Sequence, residues 1–176
     1  MESRTNVADR LRRAVRGVRR PRRLIVVLAA VLALAVAAVL VVNDHRVAAA
    51  PHAADPRCAK VVDRAPGSVR SASRDWTIGR GVVSWGGGRL VLRCGVNEPG
   101  PTGNLCLSAD DVDWVLDEKT LQEKGVSVLR TYGRSPAVEV DYSGPRENVG
   151  GILASLADSV DWIPQHSKCL GLGDTL

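Results

Sequence analysis

The sequence predicts an α+β protein: an N-terminal transmembrane helix, then a small antiparallel sheet with a C-terminal helix packed on one face, stapled by disulfides. Three observations carry this expectation. An unbroken apolar run fills residues 24–42, several short segments beyond it alternate apolar and polar residues, and one apolar stripe at helical spacing runs from Val149 to Ile163, just before Pro164. The organisation that follows is a basic cytoplasmic tail over residues 1–23, a transmembrane helix over 24–42 and a tether over 43–57. An extracytoplasmic α+β domain over 58–170 and a short tail over 171–176 complete it.

The formal net charge of +5 conceals a sharp division. Residues 1–23 contain nine arginines against Glu2 and Asp9, while everything after Val42 holds 15 basic and 17 acidic residues. The 134 residues beyond the apolar run are enough for one domain of ordinary size and too few for two. They are too neutral for a nucleic-acid binder and too apolar for a disordered chain.

The run from Leu24 to Val42 contains only Leu, Ile, Val and Ala. At a rise of ~1.5 Å per residue it spans ~28 Å, close to the ~30 Å hydrocarbon layer. It has no polar stripe to offer to water, which a soluble helix needs. Arginines cluster before the run and only Asp44, His45 and Arg46 follow it closely, so the positive-inside bias keeps the N-terminus in the cytoplasm and sends the remainder across the plasma membrane. A cleaved secretory signal shares this charge order, but its apolar core is typically ~7–15 residues, so an uncleaved anchor is expected. Small-residue sites at Ala48 to Ala50, followed by Pro51, and at Ala53 and Ala54 keep cleavage as the alternative. The arginine tail serves as a topology signal and also suits an anionic lipid leaflet, where each Arg contributes on the order of 1 kcal/mol. It lacks aromatics for base stacking, so no nucleic acid is expected as a partner.

Cys58, Cys94, Cys106 and Cys169 all lie beyond the span. An even count in an oxidising space implies bridges. Their separations of 36, 12 and 63 residues lack the close pairs of a metal site, and His45, His52 and His166 are scattered, so neither a metal nor a cofactor is expected. Of the three pairings, Cys94 with Cys106 closes a Pro/Gly loop and Cys58 with Cys169 ties the domain's ends. That is the expected connectivity, contributing ~3 and ~5 kcal/mol in the chain-entropy model.

Within the domain, Cys58, Val61, Val62 and Ala65 follow helical spacing as far as Pro66, giving a short helix. Leu90, Leu92, Cys94 and Val96 alternate with Arg89, Val91, Arg93 and Gly95 as in a half-buried strand. Val112, Trp114 and Leu116 give a second strand, and Val138, Val140 and Tyr142 a third. Residues 125–132 give a less regular fourth, with Val126 and Val128 on one face. Short turns make the strands antiparallel. Val149, Ile152, Leu153, Leu156, Val160 and Ile163 form the stripe of the closing helix, with Pro145 suited to its first position.

Signals for chemistry are sparse. The stretch from Gly81 to Gly86 is similar to a strand of trypsin-like proteases, but no nucleophile motif or suitably placed histidine accompanies it. Gly86, Gly87 and Gly88 offer backbone N–H groups to an anion without any phosphate-loop lysine, so a flexible turn is expected. Asp110, Asp111 and Asp113 lack the spacing and closing Glu of a calcium loop. The loop Thr131 to Pro136 brings Tyr132 and Arg134 together, either to bind a carboxylate or phosphate or for Arg134 to pair with Glu139 or Asp113, as Arg93 can. Arg93, Asp113, Trp114, Tyr132 and Arg134 are therefore the candidate binding residues. No catalytic residue is assigned.

Trp85-Gly86, then Val91 to Val96, then Asp113-Trp114, then Thr131 to Val140 (TYGRSPAVEV) resemble an actinobacterial family, the domain of unknown function numbered three-five-one-five. Its members are short envelope proteins with one N-terminal span. The resemblance covers Cys58 to Cys169 and implies a location, with no reaction or catalytic residue to transfer. This chain departs from it after the Trp-Gly pair, where Gly87, Gly88 and Arg89 replace an expected proline, which implies a looser turn. The function expected is a non-enzymatic binding or assembly module of the cell envelope, meeting an envelope protein or a wall component. The alternative is a small envelope enzyme using Asp110, Asp111 or Asp113 with Arg134 on a wall or surface substrate, which requires a pocket around those carboxylates.

Overall fold

A computed structural model describes residues 5–169 and divides the chain into two units, residues 1–44 and 45–176. The expected tail over 171–176 lies outside the described residues, as do the side chains of residues 1–21. The first unit is helix α1, Thr5–Asp44, longer than the apolar run because helix continues back through the arginine-rich stretch. Its segment Arg22–Asn43 has a mean hydropathy of 3.3 and none of it is buried, so it is long and apolar enough to cross a membrane.

The second unit is an α+β domain. Helix α2 (Pro56–Arg64) is followed by a small hairpin, β1 (Ser68–Val69) and β2 (Ala72–Ser73). Strands β3 (Val82–Trp85), β4 (Leu90–Val96), β5 (Cys106–Ala109) and β6 (Val112–Leu116) come next. Helix α3 (Glu118–Lys124), β7 (Ser127–Thr131), β8 (Ala137–Tyr142), a 3₁₀ turn at Arg146–Asn148 and helix α4 (Val149–Val160) complete it. The six-stranded sheet runs β3-β4-β8-β7-β6-β5 with every neighbouring pair antiparallel.

Register sorts the side chains into rows that explain both faces. Val83, Leu92, Val140, Leu129 and Leu116 stand opposite one another across five strands, and they meet Leu153, Leu156, Val160 and Ile163 in one buried cluster. All six residues of the expected α4 stripe are buried. Shifted by one residue, and so on the other face, the row reads Val82, Arg93, Glu139, Arg130, Val115 and Cys106.

The short helix behind Cys58 begins two residues earlier than its spacing shows, because Pro56 occupies the first turn and the Asp55 carboxylate caps it by accepting from the Arg57 N–H at 2.8 Å. It ends before Pro66, with Ala65 extended at ψ 132°. Pro145 does not start α4; it precedes the 3₁₀ turn, and the helix proper starts at Val149.

Several expectations are corrected. In β4 the alternation breaks at Gly95, whose φ of +89° makes a bulge between Cys94 and Val96, so Val96 leaves the core row. A side chain there would lie 2.4 Å from the His52 backbone carbon. In β7 it is Leu129 that enters the helix-covered core, while Val128 lies on the opposite face. The turn at Gly86 to Gly88 is not loose. All three residues have positive φ, and the N–H groups of Gly87 and Gly88 donate to the Asp75 carboxylate at 3.0–3.1 Å, as Ser84 Oγ does at 2.9 Å.

The disulfide connectivity differs from the expected one: Cys58 bonds Cys94 and Cys106 bonds Cys169. Cys94 faces the helices from β4, beneath Cys58 of α2, and both are fully buried. Cys106 sits on the far edge strand with its side chain on the opposite face, in the Val115 row. Four strand spacings of ~4.8 Å separate β4 from β5, about 19 Å, far beyond the reach of a bridge. Proximity in sequence across the Pro/Gly loop therefore does not become proximity in space.

Asp75 gives a testable pH dependence. Burial pushes its carboxyl upward, but the donors from Gly87, Gly88 and Ser84, with His45 nearby, outweigh burial and hold it below the usual carboxylate range. A depressed carboxylate stabilises the fold above its unfolded pKa of ~3.9 and loses that contribution as pH falls through the folded value. Asp75→Asn is expected to cost about 1–2 kcal/mol at neutral pH. Urea midpoints of the two proteins should converge as pH is lowered from about 6 to about 3, and a gap constant with pH would refute the assignment.

Candidate functional site

The five residues singled out from sequence do not converge on one site. Trp114 is fully buried in the core, and among the described residues its indole N–H has no partner. Arg93 lies on the sheet face opposite the helices, where it pairs with Glu139 and Asp141, and Arg130 Nε reaches Glu139 Oε2 at 2.7 Å. This charge ladder lines one side of a groove of about 440 Å³ whose other side is Ala48 to Pro51. Arg93 and Arg130 are paired there with Glu139 and Asp141, and Glu98 at the groove's edge lies 3.0 Å from His166 Nε2.

Arg134 is a latch within the fold. It is 5% exposed, and its guanidinium donates to the carbonyls of Asp161, Ile163 and Asp111 and to Gln165 Oε1. Two of those carbonyls follow the last residue of α4, so the cation sits at the negative end of that helix. Burial lowers its pKa, against the pull of Asp161, Asp113 and Asp111. It therefore pairs with neither Glu139 nor Asp113. Asp113 instead accepts from Gln165 Nε2 at 2.9 Å and from the Cys169 N–H at 3.1 Å, while its carbonyl accepts from the Tyr132 N–H at 2.8 Å. Asp113, Tyr132 and Arg134 thus form one cluster, which binds the C-terminal segment of the chain.

Asp110 and Asp111 are exposed and form the two-residue turn between β5 and β6, with φ of +47° and +61°. Among the described residues, no three His, Cys, Asp or Glu side chains are grouped to hold a metal ion.

A cavity of about 300 Å³ opens between the β1–β2 hairpin and the start of α4. Trp85, Leu90 and Ile152 form its apolar floor, and Arg70, Arg89, Tyr142 and Asn148 stand at its polar rim. None of the rim residues is among the five candidate binding residues read from sequence. They come from four separate segments, and no local motif links them. Of the six aromatic residues, Trp76 is the most open, at 62% exposed, and its ring packs beside His45 at 4.9 Å.

These features define a membrane-anchored or secreted α+β domain, closed by two disulfides and carried behind an N-terminal helix able to cross a membrane. A protein-family model described as "Protein of unknown function (DUF3515)" matches residues 24–167, and the chain belongs to that family. The match begins at the first apolar residue of the span, so it takes in the apolar segment as well as the domain. Comparison with curated proteins and with solved structures found no match.

Proposed function

We propose that this protein is a single-pass plasma-membrane protein whose domain, outside the cell, is a non-enzymatic binding or assembly module of the cell envelope. The observation that carries the reading is the placement of the cysteines. All four are used in bridges, and all lie beyond the apolar helix from the nine arginines. Disulfides persist in oxidising compartments and arginines are retained on the cytoplasmic side. The arginine tail then lies against the anionic inner leaflet, and the domain meets an envelope protein or a wall component. Trp76 supports a contact role, since a large exposed indole is a preferred anchor at interfaces.

The test is the intact mass of the protein taken from native membranes, with free thiols alkylated under denaturing, non-reducing conditions. A full-length mass without alkylation is expected. Four alkylated thiols would place the domain in a reducing space and end this reading. A mass lacking the segment up to Ala50 or Ala54 would make the protein a secreted one.

A further inference from the structure

We propose that the cavity between the β1–β2 hairpin and α4 binds a small ligand carrying an oxyanion, phosphate or carboxylate, on an apolar body. At about 300 Å³ it stands at the lower limit of small-molecule sites and has room for one such molecule. Trp85, Leu90 and Ile152 supply an apolar floor for the body.

Charge selects the head group. Two guanidiniums, Arg70 and Arg89, line the cavity and no carboxylate does, whereas the groove along the charge ladder has Glu98 and Glu139, and the neighbouring one, beside Pro136, has Asp55 and Glu98. Among the described residues, neither Arg70 nor Arg89 takes part in an ion pair. Arg89 is held in place by donating from Nε to the Gly86 carbonyl at 3.1 Å. The Arg70 guanidinium comes within 3.2 Å of where a side chain on Gly151 would begin, so it lies over the first turn of α4, an end that already carries partial positive charge. Two cations thus line one cavity with no carboxylate beside them, and an oxyanion bound there gains charge-assisted hydrogen bonds from them. Tyr142 and Asn148, joined by a 3.4 Å hydrogen bond, add a hydroxyl and an amide at the same rim.

Arg70 is the first residue of the two-residue turn between β1 and β2, and its φ of +53° is one that glycine adopts without strain.

The proposal rests on the reading of the domain as a binding module, but not on its location. Full-length protein in nonionic micelles is titrated calorimetrically with phenyl phosphate, and with phenol as the uncharged analogue. Saturable phenyl phosphate binding is expected, with phenol at least about tenfold weaker. Arg89→Gln and Arg70→Gly should each weaken phenyl phosphate at least about tenfold, while Arg70→Gly leaves the melting temperature unchanged or raised, because glycine accepts the positive φ. Absence of saturable binding, equal binding of phenol, or indifference to both substitutions would overturn the site. Displacement by inorganic phosphate alone identifies a soluble anion as the natural ligand, and displacement by dihexanoyl phosphatidate a lipid headgroup. A mass lacking the segment up to Ala50 or Ala54 would overturn the membrane location and change none of these titrations, so the two readings fail separately.

Discussion

Arg134→Ala is expected to destabilise the domain by about 3–4 kcal/mol, because it strips the donor from several carbonyls at once in a site closed to water. The carbonyls of Asp161, Ile163 and Asp111 lose their partner together, and Gln165 loses one as well. Arg134→Lys should recover little, since one ammonium cannot reproduce a planar fork spread over acceptors from two parts of the chain. The loss should be felt locally too. The segment after α4 is held to the sheet by the His166 N–H to Gly133 carbonyl bond at 2.7 Å and by Asp113, so its amides should exchange faster in the variant. Urea unfolding of Arg134→Ala and Arg134→Lys beside the native chain measures the effect, and a loss under about 1 kcal/mol would show that the latch is ornamental.

Replacing Cys58 and Cys94 together by alanine is expected to cost about 4 kcal/mol, the loop-closure value for 36 residues of separation. The bridge of Cys106 with Cys169, closing 63 residues, carries a similar value of about 4 kcal/mol. Domains of this size have ~5–15 kcal/mol in total, so losing either bridge leaves a marginal fold and losing both leaves little or none. Non-reducing peptide mapping should return a linked Cys58–Cys94 peptide. A Cys94–Cys106 peptide would require β4 and β5 to be neighbours, contrary to the strand order.

How far sequence carries depends on whether an element has two different sides. Strands β4, β6 and β8 and helix α4 each bury one face and leave the other in a distinct environment, and their periodicity reveals them. Strand β3 is buried at all four positions, so alternation is missing. Helix α3 buries no residue and has no stripe, although its cap Asp117, accepting from the Thr120 N–H at 2.9 Å, and Gly125 at φ +69° mark its ends. Strand β5 is a short edge strand, announced only by the Asp110-Asp111 turn. For the candidate site the limits are sharper. Arg134 was visible as a charged loop residue, but its acceptors are main-chain carbonyls, which any residue supplies. Arg93 with Glu139 was visible because both lie on the polar side of alternating strands. Arg70 and Arg89 were not, because what unites them is the path of the chain around a hollow.

The corrected bridges also bear on how the domain comes into being. The cysteines are bonded consecutively, first with second and third with fourth, so the two closed loops follow one another without overlapping. If such a chain enters an oxidising space from its N-terminal end, pairing in order of arrival gives this pattern directly, Cys58 with Cys94 and then Cys106 with Cys169.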